Sequence, residues 1–482
     1  MTDPTPGSVP TPPPTANTQS IGPLGSPSLE PDGAAVPRKQ VISWALWDWA
    51  TQPFNSVILT FVFAALYLVS DNFLPADIAS LADGDPVKDR ALADLSSGYG
   101  LVTTLAGILI LLLAPVLGQR ADATGRKKRA LFVFTMLLAL LQFGLFFVHA
   151  DPTYFWLGAA LLALGAVVSE IAGVNYNAML HQVSTRRTIG KVSGLGWGLG
   201  YIGGIVALVI VVVLTTFDWF GLDTSDGLAY RLIAVGAAVW TVLFSIPIFL
   251  NVPEAAPHDT EHRKVGFFAG YALLVKDLVR LRTTAPPAFW FLFASAIYRD
   301  GLAGVFAFAG VLATVAFGFG ANEVIIFAIV ANVVAGVSTI FAGRADDRFG
   351  PKAVIVFALV GLVAMAVVVF AFHDFGSTVF WVGGLILAAF VGPAQAASRS
   401  LLARVTPIGQ QGEIFGLYAT TGRVASFISP AMWTLFIAIS GSTIFGVLGI
   451  GIVLLVGLVL LIFVKLPDLR ASATTELPGA LD

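Results

Sequence analysis

Twelve runs of mostly apolar residues, each about 20 residues or longer, follow one another along this chain. They fall at 43–70, 97–117, 130–150, 153–180, 189–215 and 229–251, and then at 287–314, 322–342, 352–372, 378–402, 412–439 and 442–466. A run of that length crosses the hydrocarbon of a bilayer as an α-helix. In lipid, a helix satisfies its backbone hydrogen bonds within its own segment. The expected fold is therefore all-α and integral to a membrane, with twelve transmembrane helices in two six-helix halves, 41–251 and 287–466. Composition points the same way: 57% of the residues are hydrophobic and only 12% charged. That charged share is about half that of an ordinary soluble chain, too little to coat a protein of this size.

The remaining segments read differently. Residues 1–40 are rich in Pro, Thr, Ser and Gly and read as a disordered tail. They lack the charged start and short apolar core of a signal peptide, so the tail is expected to stay attached. Residues 467–482 form a second tail. Within the linker 252–286, Phe267, Phe268, Tyr271, Leu274, Val275 and Leu278 fall largely on one helical face. Lys276, Asp277, Arg280 and Arg282 lie mostly opposite, the pattern of a helix resting on a membrane surface.

Charge sets the orientation. With the N-terminus inside, most of the 27 Lys and Arg residues fall in inner segments, among them Arg120 and the run Arg126 to Arg129. The outer loops carry acids such as Asp71, Asp83, Asp85, Asp218, Asp223 and Asp226. The positive-inside rule then predicts that both termini are cytoplasmic, and the expected location is the plasma membrane, as a multi-pass protein.

Two of the inner loops share a skeleton. Gly118, Asp122, Gly125 and Arg126 recur as Gly343, Asp347, Gly350 and Lys352, with the same spacing from Gly to Asp to Gly. A duplicated loop in corresponding places implies two similar halves. Several chemistries are excluded. There is no Cys, so no thiol chemistry. The five His residues are scattered without metal-ligand spacing, and the Gly-rich run 194–204 has no Gly-Lys-Ser/Thr after it to cradle phosphate. No nucleophile, acid and base cluster, so an enzyme is not expected. Neither is a cofactor, a metal or a nucleic-acid partner.

Twelve spans with Gly-x-x-x-Asp-x-x-Gly-Arg-Lys between the second and third resemble the major facilitator superfamily. Three stretches resemble one branch of it, the "unknown major facilitator" family that includes the yeast vacuolar amino-acid effluxer of autophagy. They are 44–50 (WALWDWA), 175–180 with 192–201 (NYNAML, VSGLGWGLGY), and 398–404 with 415–418 (SRSLLAR, FGLY). The resemblance implies that Asp122, flanked by Gly118, Gly125 and Arg126, holds an inner gate shut, with Asp347, Gly350 and Lys352 as its echo. An acid at the start of the third span also sits near a helix N-terminus, where the backbone dipole favours it. The alternative is that these loops serve topology alone.

Ionisable residues inside spans are costly and therefore informative. Asp300, beside Arg299, lies about 12 residues into its span, roughly 18 Å along the helix and near the midplane. Arg423 lies at similar depth, which suggests that it pairs with Asp300, either statically or until substrate intervenes. Glu170, followed by Asn175, is a second candidate proton carrier alongside Asp300, or else a structural partner of Arg186 or Arg187. Asp48, among Trp44, Trp47 and Trp49, belongs either to an interfacial aromatic belt or to the inner gate. Asn55, Asn332 and Gln395 are candidate donors to a polar solute, or bonds between helices. Gly196, Gly200 and Gly204, four apart, read as close helix packing with a sliding surface as an extension.

The expected function is secondary transport of a small solute by alternating access around a midplane site. The resemblance makes amino-acid or related-metabolite export the first reading and a proton-coupled drug or organic-anion exporter the second. A receptor or scaffold without transport is the alternative of another class. Expected partners are the substrate and the bilayer, with protons as the candidate coupling ion and the chain as a monomer.

Overall fold

A computed structural model describes residues 36–82, 85–185, 187–216, 227–254, 276, 279–283, 285–319, 321–406 and 410–465. The predicted tails, apart from 36–40, lie outside the described residues. So does most of the predicted amphipathic segment, of which 279–283 are helical.

In the first half the helices are α1 (Arg38–Pro53), α2 (Pro86–Thr124), α3 (Lys127–Gly144), α4 (Phe155–Ala178), α5 (Ile189–Thr216) and α6 (Leu228–Asn251). In the second they are α7 (Pro286–Val311), α8 (Ala321–Phe349), α9 (Pro351–Ala371), α10 (Ser377–Val405), α11 (Gln411–Ala425, resumed as Ile428–Ser440) and α12 (Gly446–Phe463). Among the described residues, eleven helices are long and apolar enough to cross a bilayer. The remaining predicted span is α1, which is α-helical only to Pro53 and continues as π-helical Phe54–Phe61 and Phe63–Leu68. Proline has no N–H to donate and crowds the preceding turn, so the ladder widens there.

Punctuation in the sequence explains most boundaries. Asp85 caps α2 by accepting the Val87 amide at 2.8 Å, with Pro86 in the first turn. Gly125, at φ 64, closes the same helix in the left-handed conformation. Gly350, at φ 90, turns the chain into Pro351 at the start of α9. At 39 residues, α2 far exceeds its predicted span 97–117. The apolar run reports where the helix meets lipid, whereas the cap and the proline report where it begins.

The two halves repeat one packing scheme. Helix α1 packs on α5 and α6 as α7 packs on α11 and α12; α2 meets α4 as α8 meets α10; α3 lies against α4 and α6 as α9 lies against α10 and α12. The halves join along two seams related by the same repeat, α5 against α8 and α2 against α11. Large apolar side chains such as Leu250, Phe357, Ile439 and Phe463 cover the outside, a surface suited to hydrocarbon.

Candidate functional site

Each Gly-Asp-Gly hairpin meets the segment that opens a helix of the other half, α11 for the first hairpin and α5 for the second. Asp122 sits in the last turn of α2, not at the start of the third span. The N-terminus it serves belongs to α11 in the opposite half, where it accepts the Glu413 amide at 2.9 Å. Its other oxygen meets Lys127 Nζ at 2.7 Å. Asp347 does the same in mirror fashion: from the end of α8 it accepts the amides of Gly190 and Lys191, at 2.8 and 2.9 Å, at the start of α5. Each hairpin carboxylate is thus set against the positive end of a helix in the other half.

Backbones approach closely at the same two places. A Cβ on Gly118 would run into the Gly412 carbonyl oxygen, and one on Gly343 would lie 2.7 Å from the Gly190 carbonyl oxygen. Asp346, unremarked in the sequence, is buried and held by Arg404 at 3.1 Å and by the Ser400 hydroxyl; Arg404 also reaches Asp347 at 3.0 Å. Two expected gate residues lie elsewhere. Arg126 is exposed, and Lys127 provides the cation at Asp122. Lys352 donates to the carbonyls of Ile462 and Val464 at the end of α12, within its own half. Lys128 does likewise for Val252 after α6, so this pair braces each half internally. The expected sliding face of α5 is corrected too. Gly196, Gly200 and Gly204 pack closely on Asp48 and Gln52 of α1 and on Ser56 in its π-helical continuation, with Arg399 of the other half also against Gly196, while Gly194 and Gly198 meet α8 across the seam.

Above this closed end, both halves line a cavity of about 430 Å³. Asp48 of α1 forms part of its floor and pairs across the halves with Arg399 of α10 at 3.1 Å. Tyr176 also donates to Asp48, at 2.9 Å. The Arg399 guanidinium donates to the Ser193 hydroxyl and carbonyl at 3.0 and 2.6 Å and to Asn177 at 3.2 Å. It lies over the rings of Trp44, Tyr176 and Trp197. Trp44 and Trp47 are buried and stack on Tyr176, with centroids 4.3 and 4.4 Å apart, so these two rings pack inside the bundle and do not lie in an interfacial belt. Sequence reasoning quoted the Arg399 stretch for its resemblance but missed the residue as a site. The signal was present, because Arg399 is an ionisable residue inside the predicted span 378–402.

Higher in the cavity, Arg423 of α11 pairs with Glu170 of α4 at 3.2 Å. This overturns the expected Arg423–Asp300 pair, and Glu170 takes Arg423 as its partner in place of Arg187; the alternative partner Arg186 lies outside the described residues. Asp300 instead accepts the Ser429 amide at 2.6 Å, capping α11 where it resumes after its break. Replacing Asp300 with Ala is therefore expected to lower stability by about 1–2 kcal/mol, and Asp300→Asn by less, since Asn retains a cap. Melting curves of the two variants check this; equal losses would exclude capping as the role of Asp300.

Arg299 donates to the Tyr418 carbonyl at 2.8 Å and lies 3.6 Å over the Tyr418 ring. Asn55 and Gln395 line the cavity, the latter accepting from Tyr201 at 2.6 Å across the halves. Two predicted residues do not line it. Asn175 is buried and bonds Ile171 of its own helix at 2.9 Å, its neighbour Asn177 taking the cavity position. Asn332 bonds Ala328 at 2.8 Å beside a separate, mainly apolar cavity of about 350 Å³. Among the described residues, no three His, Asp or Glu are grouped to hold a metal ion.

Two pseudo-symmetric six-helix halves, joined at paired Gly-Asp-Gly hairpins below a charged cavity, define a major facilitator superfamily transporter rather than an enzyme. The fold matches FucP, a transporter of that superfamily in the outward conformation, with TM-score 0.64, 15% identity, and coverage of 89% of this chain and 99% of that one. It also matches the human organic anion transporter MFSD10, with TM-score 0.65 and 14% identity over 88% of this chain and 99% of that one. Residues 181–473 match the family described as "Vacuole effluxer Atg22 like", and the chain belongs to that family. The uncharacterized MFS-type transporter YxiO of Bacillus subtilis is 28% identical over 433 residues, 88% of this chain and 95% of its own length. Autophagy-related protein 22 of Cryptococcus neoformans is 25% identical over 294 residues, 56% of this chain; the match spans about half of that relative, 51%.

Proposed function

We propose that the chain exports a small zwitterionic solute, an amino acid or a related metabolite, by alternating access. The observation that carries this reading is the charge arrangement of the cavity. Glu170 and Arg423 face each other from opposite halves, with Arg299 nearby on α7. A solute bearing both an ammonium and a carboxylate can replace each partner of the Glu170–Arg423 pair with one of its own groups. The Trp197 indole N–H also borders the cavity and has no protein acceptor among the described residues. The description of the matching family, "Vacuole effluxer Atg22 like", adds support for efflux.

In this reading the hairpin end faces the cytoplasm, both termini lie inside, and the protein works as a plasma-membrane monomer. The present arrangement, with the hairpin seams closed, then faces outward. Opening inward requires the Asp48–Arg399 pair and both hairpin carboxylates to leave their partners in the other half. We propose protons as the coupling ion, with Glu170 as the carrier: a proton on Glu170 removes the charge that holds Arg423. The second reading, export of organic anions, draws on Arg299, which forms no ion pair with any described residue.

The test is a panel of amino acids and organic anions scored by thermal stabilisation of the purified protein, followed by flux in proteoliposomes. Glu170→Gln and Arg423→Ala are each expected to weaken amino-acid binding by about tenfold or more, since hydrogen bonds to charged groups contribute roughly 1.5–3 kcal/mol. Stabilisation by organic anions alone would establish the second reading. Unchanged affinity in both variants would remove the proposed site.

A further inference from the structure

We propose that the hairpin end carries a binding site for the phosphate headgroup of an anionic membrane lipid, set between α1, α5 and α8. A cavity of about 560 Å³ lies there. Four cations line it: Arg38 from the first turn of α1, Arg187 just before α5, Lys191 from the first turn of α5, and Arg344 near the end of α8. No carboxylate is among its lining residues. The rest of the wall is largely apolar, including Val41, Val192, Leu195 and Ile340. At its edge Ile42 is 51% exposed, and Phe341, beneath the Arg344 guanidinium, is 64% exposed. Cations beside an apolar wall, next to side chains suited to hydrocarbon, match a headgroup with its acyl chains.

These cations differ from the others at this end of the molecule. Lys127, Lys128, Lys352, Arg399 and Arg404 are all held by protein acceptors. The side chains of Arg38, Lys191 and Arg344 make no hydrogen bond or ion pair with any described residue, and Asp347, which accepts the Lys191 backbone amide beside the pocket, is itself paired with Arg404, so these three add positive charge that no described carboxylate pairs with. A free phosphate presents the same anionic oxygens. The apolar wall and the exposed Ile42 and Phe341 favour the lipid. Because α1 and α5 belong to one half and α8 to the other, a headgroup here bridges the α5–α8 seam and favours its closed state. The site is independent of which solute the central cavity carries.

The experiment measures melting of the purified full chain with added phosphatidylglycerol, phosphatidylcholine or inorganic phosphate. Phosphatidylglycerol is expected to stabilise the protein, and the other two are not. Arg38→Ala, Lys191→Ala and Arg344→Ala are each expected to lower the apparent phosphatidylglycerol affinity about fivefold. All three residues are exposed, so the unliganded variants should melt as the parent does. Arg348→Ala, an exposed cation outside the pocket, should bind lipid as the parent does. Equal stabilisation by phosphatidylcholine, the same effect from phosphate alone, or parental lipid affinity in the three variants would each overturn the proposal.

Discussion

Arg399→Ala is expected to abolish transport and to destabilise the protein more than any other single substitution in the cavity. The guanidinium is nearly inaccessible, with 4% of the side chain exposed, and it joins α10 of one half to Asp48, Asn177 and Ser193 of the other. Truncation leaves Asp48 without its cation and the Ser193 carbonyl without its donor. Removing one partner of a buried ion pair costs about 3–5 kcal/mol. Arg399→Lys restores the charge but not the planar fork, and one ammonium cannot reproduce the bonds to Ser193, Asn177 and Asp48 together. The lysine variant should therefore recover part of the stability and little of the flux. Melting curves and proteoliposome flux provide the check, and parental melting of Arg399→Ala would contradict the central place given to this contact. A cycle with Asp48→Asn would then isolate the coupling between the two residues.

The second large effect is expected at Gly118. An added methyl there collides with the backbone of Gly412, whose carbonyl has no rotamer by which to move aside. Overpacking of this kind costs about 1–3 kcal/mol, and the cost falls only on the state in which the hairpin end is closed. Gly118→Ala should therefore shift the conformational balance toward opening at that end by roughly five- to 150-fold. The absence of native cysteine makes the measurement direct. A cysteine introduced at Ala396, buried at the seam, should react faster with a polar thiol reagent in the Gly118→Ala background. Gly107→Ala on the same helix, where a Cβ would meet nothing within 4 Å, is the control. Equal labelling rates in Gly118→Ala and Gly107→Ala would show that the glycine contact does not hold the gate.

These effects follow from contacts between residues far apart in the chain, and that separates what was legible in the sequence from what was not. The apolar runs are read without knowledge of partners, because each span must satisfy its own backbone and face lipid or another helix. The repeat of Gly118, Asp122 and Gly125 as Gly343, Asp347 and Gly350 likewise disclosed a chain of two related halves. Even the scarcity of in-span charges pointed to Asp48, Glu170, Asp300 and Arg423, all of which line the central cavity.

Partnership was decided elsewhere. Depth along a helix made Asp300 and Arg423 look matched, but depth fixes one coordinate, and the rotation of each helix fixes the other. Rotation turned Arg423 toward Glu170 and left Asp300 to cap the resumed half of α11. The break in α11, the widening of α1 after Pro53, and the pairing of α2 with α11 and of α5 with α8 belong to the packed bundle. The amino-acid sequence by itself determined that the chain crosses a membrane as two similar helical sets, since burial in lipid is enforced span by span. Only the tertiary structure decided which charge answers which, because an ion pair depends on the position of two side chains, and each helix knows only its own.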